Sequence, residues 1–213
     1  AEAALGRADL VVLGIKPQQA AAVLPEWAPR IGDATVLSML AGTTTDQIRT
    51  LLGGRSDIVR IMPNTPARIG QGCTAVSWPD HLPTARRDRI YELLAALGEV
   101  VQLPESRIDA FTSIAGSGPA YVFLFLQALQ EAAERQGFTA EDAKKMAAAT
   151  VRGAANLAAQ EDRSFAALRK DVTSPGGTTQ AAIGVLEAGE LRELVATATE
   201  RATARAGELA KIR

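Results

Sequence analysis

Residues 173–183 read TSPGGTTQAAI. Pro175 fixes φ ahead of a turn. Gly176 and Gly177 open backbone conformations closed to other residues and let a ligand approach the main chain closely. Thr178 and Thr179 then begin an apolar, helix-like run. The first amides of a helix lack intrahelical acceptors and lie at the positive end of its dipole, so they attract anions. Ser174, Thr178 and Thr179 add hydroxyl donors. A Walker loop would also supply a lysine. None stands in this stretch, so a small carboxylate fits better than a nucleoside triphosphate. The same composition also suits a capped helix after a tight turn, with no ligand at all.

Other stretches are weaker alone. AGSGPAY (115–121) places glycines before a long helix, where Ser117 could be a cap or small residues could let helices approach. Three loops follow apolar runs: GIKPQ (14–18), LAG (40–42) and MPNTP (62–66). In open α/β sheets ligands bind beyond the carboxyl ends of the strands, so these loops could share a crevice. Lys16 could equally be a solvated surface lysine. His81, in WPDHLP, stands apart from every candidate loop and reads as a surface residue. Cys73 has no metal-ligand spacing around it. Neither a Ser-His-Asp arrangement nor a metal cluster can be built.

The elements that must position these residues fall into two sets. DLVVLGI (9–15), ATVLSML (34–40) and DIVRIMP (57–63) are apolar runs expected of strands buried on both faces. GCTAVSW (72–78) and EVVQLP (99–104) are further strand candidates. Helical stretches at 17–29, 44–54 and 85–98 alternate with them, which predicts βαβ units and a mainly parallel sheet. Beyond Pro104 the β signal stops. Helices are predicted over 119–137, 139–160, 164–172, 177–189 and 190–212. The expected organisation is therefore α/β plus all-α, with a first domain over 1–103 and an all-helical domain over 104–213. The apolar run Tyr121–Leu126 suits either a helix threaded through a core or the core of a dimer.

The chain's 213 residues suit one large domain or two small ones. Hydrophobic content of 47% against 22% charged residues allows a packed core. Aromatics are only 4%, and the abundance of alanine favours helix. Net charge is −1 and no run of Lys or Arg appears, so the electrostatic footprint of a nucleic-acid binder is missing. No uninterrupted apolar segment approaches the ~20 residues of a membrane span, and no leader-like segment opens the sequence. The single Cys73 excludes an intrachain disulfide, so a reducing, cytoplasmic setting is expected.

Taken in order, LGIKPQ, LAGTT, VRIMPNTPARIGQG, IDAFTSIAGSGPAYVF and VTSPGGTTQAAIGVLE resemble the pyrroline-5-carboxylate reductases, from about residue 9 to residue 210. The resemblance implies a Rossmann dinucleotide domain followed by a helical dimerisation domain. It implies reduction of 1-pyrroline-5-carboxylate to L-proline with NADPH or NADH, and self-association as a dimer or a ring of dimers. It places Gly14, Ile15, Lys16, Pro17, Met39, Leu40, Ala41 and Asp171 at the cofactor. It places Glu105, Ser174, Gly176, Gly177, Thr178 and Thr179 at the substrate, with the Thr179 hydroxyl near the ring nitrogen as the catalytic group.

Three departures stand out. The family's first strand and its G-x-G-x-x-G loop would precede Ala1, and no G-x-G-x-x-G occurs anywhere in the chain. Ala115 replaces a serine, and Lys170 stands where aspartate is frequent. Two alternatives follow: an inactive dimeric fragment, or a related nicotinamide-dependent imine or hydroxy-acid reductase. A hydroxy-acid enzyme would carry a catalytic lysine in the helical domain, for which Lys144 and Lys145 are the candidates.

Overall fold

The apolar runs assemble into a sheet because each is flanked by polar or glycine-rich turns that end it. The computed structural model describes residues 5–54 and 57–211. Among these, strands β1 (Leu10–Leu13), β2 (Thr35–Ser38), β3 (Ile58–Met62), β4 (Gly72–Ser77) and β5 (Gly98–Gln102) form a sheet of order β1-β2-β3-β4-β5. β1, β2 and β3 are parallel, with Leu10 opposite Thr35 and Val36 opposite Ile58. β4 runs antiparallel to β3, Ile61 facing Val76, and β5 is parallel to β4. The short link 63–71 explains the reversal, because a parallel return needs a crossover of a dozen or more residues.

Helices α1 (Ala20–Trp27) and α2 (Thr45–Leu51) cover one face of the sheet, through Ala20, Leu24, Ile48 and Leu52. Helix α3 (Thr84–Ala95) covers the other through Ile90 and Leu94, against Leu37, Val59, Ile61 and Val76. β2 and β3 are buried along their whole length, as two-sided apolar runs should be. β1 departs from that expectation: it lies at the sheet edge, and Val12 is 53% exposed. Composition cannot distinguish an edge strand of such residues from a central one.

Chain reversals rest on glycine where side chains cannot fit. A Cβ on Gly98, whose φ is +128°, would lie 2.2 Å from the Gly72 carbonyl oxygen. Gly72 is its register partner across β4 and β5.

After β5 the chain turns through 105–107 into a single helical turn, α4 (Ile108–Phe111). A π-helical turn, Thr112–Gly116, follows and runs into α5 (Gly118–Arg135). Ser117, with φ −86° and ψ −21°, bridges the π turn and α5. α6 (Ala140–Gln160), α7 (Phe165–Asp171), α8 (Thr178–Ala188) and α9 (Leu191–Lys211) complete the chain. The end of the helix predicted over 190–212 lies outside the described residues.

Two compact units are present: Ala1–Pro119 with Thr199–Arg213, and Ala120–Ala198. In the second, Thr139 caps α6 by accepting the Asp142 amide at 3.1 Å, with Glu141 and Asp142 in the first turn. Ala143 and Ala147 of α6 are buried. Much of the rest is apolar and uncovered: Val122, Phe123, Leu124 and Phe125 of α5, Leu157 of α6, and Leu194 and Val195 of α9.

Candidate active site

The start of α8 is built as its sequence suggests. Gly176 takes the left-handed conformation, φ +71°, and Gly177 is the extended N-cap of the helix. The turn is tight: a Cβ on Gly177 would fall 2.4 Å from Ser174 Oγ and 3.1 Å from Ser174 O. The Gly177 amide donates to the Ser174 carbonyl at 3.1 Å, and the Gly176 amide donates to Gln180 Oε1 at 2.6 Å. These two amides are already used. Those of Thr178 and Thr179, the first two helical residues, donate to nothing among the described residues. Thr178 is exposed and Thr179 half-buried. The result is two free amides and two threonine hydroxyls at the positive end of an eleven-residue helix, beside the Ser174 hydroxyl. That arrangement can hold a carboxylate.

Asp171 ends α7, where its carboxylate pairs with Arg163 at 2.6 Å. Lys144 and Lys145 are exposed on α6.

In the first unit, the parallel strands β1 and β2 bring their carboxyl ends side by side. The Met39 amide donates to the Leu13 carbonyl at 3.3 Å, and a Cβ on Gly14 would meet Met39 Sδ at 3.7 Å. Gly14, Ile15 and Lys16 leave β1, and Pro17 opens a 3-10 turn. The Lys16 amide donates to Gln19 Oε1 at 3.2 Å. Met39, Leu40 and Ala41 leave β2, and Gly42, at φ +65°, turns the chain toward Thr44, the N-cap of α2. Leu40 is buried: its side chain packs in the core against Leu24 and Ile48, its amide donates to Ser38 Oγ at 3.3 Å and its carbonyl accepts the Thr43 amide at 3.2 Å, so it offers no free group to a ligand. These residues fit part of a dinucleotide. Two adjacent strand ends with a bare glycine offer a ledge for a flat ring, whereas a glycine-rich pyrophosphate loop is missing from the sequence.

Glu105 is engaged within the first unit. Thr45 donates to it through its amide, 2.7 Å to Oε1, and through its hydroxyl, 2.6 Å to Oε2. Arg60 Nη1 donates to Oε1 at 3.3 Å. The partners Thr45, Arg60 and Asp109 escaped the sequence reading, although an arginine inside the apolar run DIVRIMP is a visible signal. Asn64 was another omission. Its side chain accepts the Cys73 amide at 2.9 Å and donates to the Ala115 carbonyl at 3.0 Å, clamping the π turn to the end of β3. Helical π turns recur at functional sites.

His81 lies at the surface, Nε2 3.1 Å from Asp57 Oδ1. Cys73 is half-buried, and burial, with Glu99 nearby, raises its thiol pKa above the ordinary value. Among the described residues no group of His, Cys, Asp and Glu could hold a metal ion.

Residues 105–209 match the family described as pyrroline-5-carboxylate reductase dimerisation. The pyrroline-5-carboxylate reductase of Pseudomonas aeruginosa is 39% identical over 98% of this chain and 77% of its own length. Pyrroline-5-carboxylate reductase 3 of Rattus norvegicus is 35% identical over 97% and 76%. The structure of the Coxiella burnetii pyrroline-5-carboxylate reductase superposes with a TM-score of 0.91 at 41% identity, covering 98% of this chain and 78% of that one. The Plasmodium falciparum pyrroline carboxylate reductase with NADP bound gives 0.90 at 26% identity, covering 98% and 80%.

Proposed function

The chain belongs to the pyrroline-5-carboxylate reductase family, and on that premise we propose how its residues divide the work of reducing 1-pyrroline-5-carboxylate to L-proline with NADPH or NADH. The observation that carries the reading is the pair of free amides at Thr178 and Thr179. They receive the substrate carboxylate, with the Ser174 hydroxyl as a further donor. Gly176 and Gly177 shape the turn that presents them. The helix dipole adds to these hydrogen bonds. Fixing one end of a small ring sets which face and which carbon are offered to the reductant.

Gly14, Ile15, Lys16 and Pro17, with Met39 and Ala41, line the cofactor. When bound, the reduced nicotinamide supplies the hydride. The substrate reacts as its protonated imine, so hydride addition at carbon leaves the neutral amine, and the Thr179 hydroxyl hydrogen-bonds the ring nitrogen through that change.

Self-association follows from the uncovered apolar helices. The helical stretch 105–135 is long and apolar, and it is almost wholly uncovered. By length and composition this helix could cross a membrane. Its match to a dimerisation domain supports a second copy as its cover instead. We assign self-association as a dimer or a ring of dimers, in the cytoplasm.

Thr179→Ala tests the site. Turnover is expected to fall by roughly two to three orders of magnitude, the scale of losing a transition-state donor. The unfolding free energy from urea denaturation should change by no more than about 0.5 kcal/mol. L-Proline should raise the melting temperature of the parent and raise that of the variant less. An unchanged rate would refute the assignment.

A further inference from the structure

β3 carries a charge in the middle of its buried run: Arg60 is 3% exposed, between the core residues Val59 and Ile61. Its guanidinium reaches the segment after β5. Nη1 donates to Glu105 Oε1 at 3.3 Å and Nη2 to Asp109 Oδ1 at 3.1 Å. Glu105 in turn meets Thr45, accepting its amide at 2.7 Å and its hydroxyl at 2.6 Å. Thr45 is the first residue of α2. Its amide is one of the helix's orphan donors, and a carboxylate there is favoured by the dipole. One side chain from residue 105 thus joins the middle of β3 to the exact point where the β2–α2 turn becomes helix.

We propose that Glu105 is a positioning residue for the cofactor-lining turn Met39–Thr44, and not a ligand of the substrate. The inference rests on the reading of Met39–Ala41 as cofactor-lining. Three donors share the two oxygens of Glu105, two on Oε1 and one on Oε2, which leaves about one acceptor site for any other group. A substrate group would have to share a carboxylate whose charge already compensates a buried guanidinium. Arg60 can ill spare one, since its Nε has no partner among the described residues. Removing one side of a buried ion pair leaves the other charge uncompensated.

The turn is held at its strand end by the Met39 amide on Leu13 and internally by the Thr43 amide on Leu40. Glu105 holds its helix end. Released there, the turn samples other shapes, and affinity for a ligand falls with the fraction of chains in the binding shape. Carboxylate binding at the start of α8 uses none of these bonds.

The test compares the parent chain with Glu105→Gln, Thr45→Val and Thr45→Ser. Titration with NADPH is expected to give a Kd about tenfold weaker for Glu105→Gln and about threefold weaker for Thr45→Val. Thr45→Ser keeps the hydroxyl and should match the parent. Stabilisation by L-proline in a thermal shift should be the same in all four. Amide hydrogen exchange across residues 40–46 should quicken in Glu105→Gln and stay slow in Thr45→Ser. Loss of the L-proline response with NADPH binding intact would overturn the proposal and make Glu105 a substrate ligand. Unchanged exchange in Glu105→Gln would also overturn it. If the parent binds neither NADPH nor L-proline, the functional reading fails, while exchange at Thr45 still decides whether Glu105 holds the turn. Thr45→Val serves if Glu105→Gln does not fold.

Discussion

Single residues in this chain are constrained for two distinct reasons. Gly98 is fixed by space. At φ +128°, with the Gly72 carbonyl 2.2 Å from where a Cβ would stand, any side chain must push two strands apart. Gly98→Ala is expected to cost about 3 kcal/mol, combining backbone strain with overpacking, and urea denaturation will measure it. Gly176 is fixed by conformation, at φ +71° with nothing near its absent side chain. The two kinds of glycine look alike in sequence. TSPGGTT still announced itself, because glycines and hydroxyls adjoin an apolar helix start. Glu105 did not: its partners Thr45 and Arg60 lie far away in the chain, and no local pattern encodes such a meeting.

At the scale of elements, local rules carried far. The runs 34–40 and 57–63 became the fully buried strands β2 and β3. Thr139 followed by Glu141 and Asp142 became the capped start of α6. Thr139→Ala should cost about 1 kcal/mol of stability, the usual worth of such a cap. Thermal or urea unfolding will report it. What escaped depended on neighbours. The antiparallel sense of β4 is a property of a connection, not of GCTAVSW. The π turn Thr112–Gly116 is held by contacts from elsewhere, Thr203 Oγ1 on Ser113 Oγ at 2.8 Å and Asn64 on Ala115 at 3.0 Å.

For the molecule as a whole, the division of labour was legible from composition: strands cease at Gln102, and alanine-rich helices follow. The helical part is too poor in buried residues to be explained by one copy. Ala143 and Ala147 are the buried apolar residues recorded between Ala120 and Ala198, while Phe123 is 62% exposed. Burying a phenylalanine contributes about 1.5–3 kcal/mol, so several of them drive association. Phe123→Asp is expected to give monomers in analytical ultracentrifugation, with the α/β unit still folded.

That bare α5 face makes abundance a variable of the fold. A helix whose greasy side waits for its twin completes its interior only in a bimolecular step, so dilution weakens it and plentiful synthesis strengthens it. A cell holding few copies would keep some of them as sticky orphans, open to chaperones and proteases, whatever the quality of the catalytic groups.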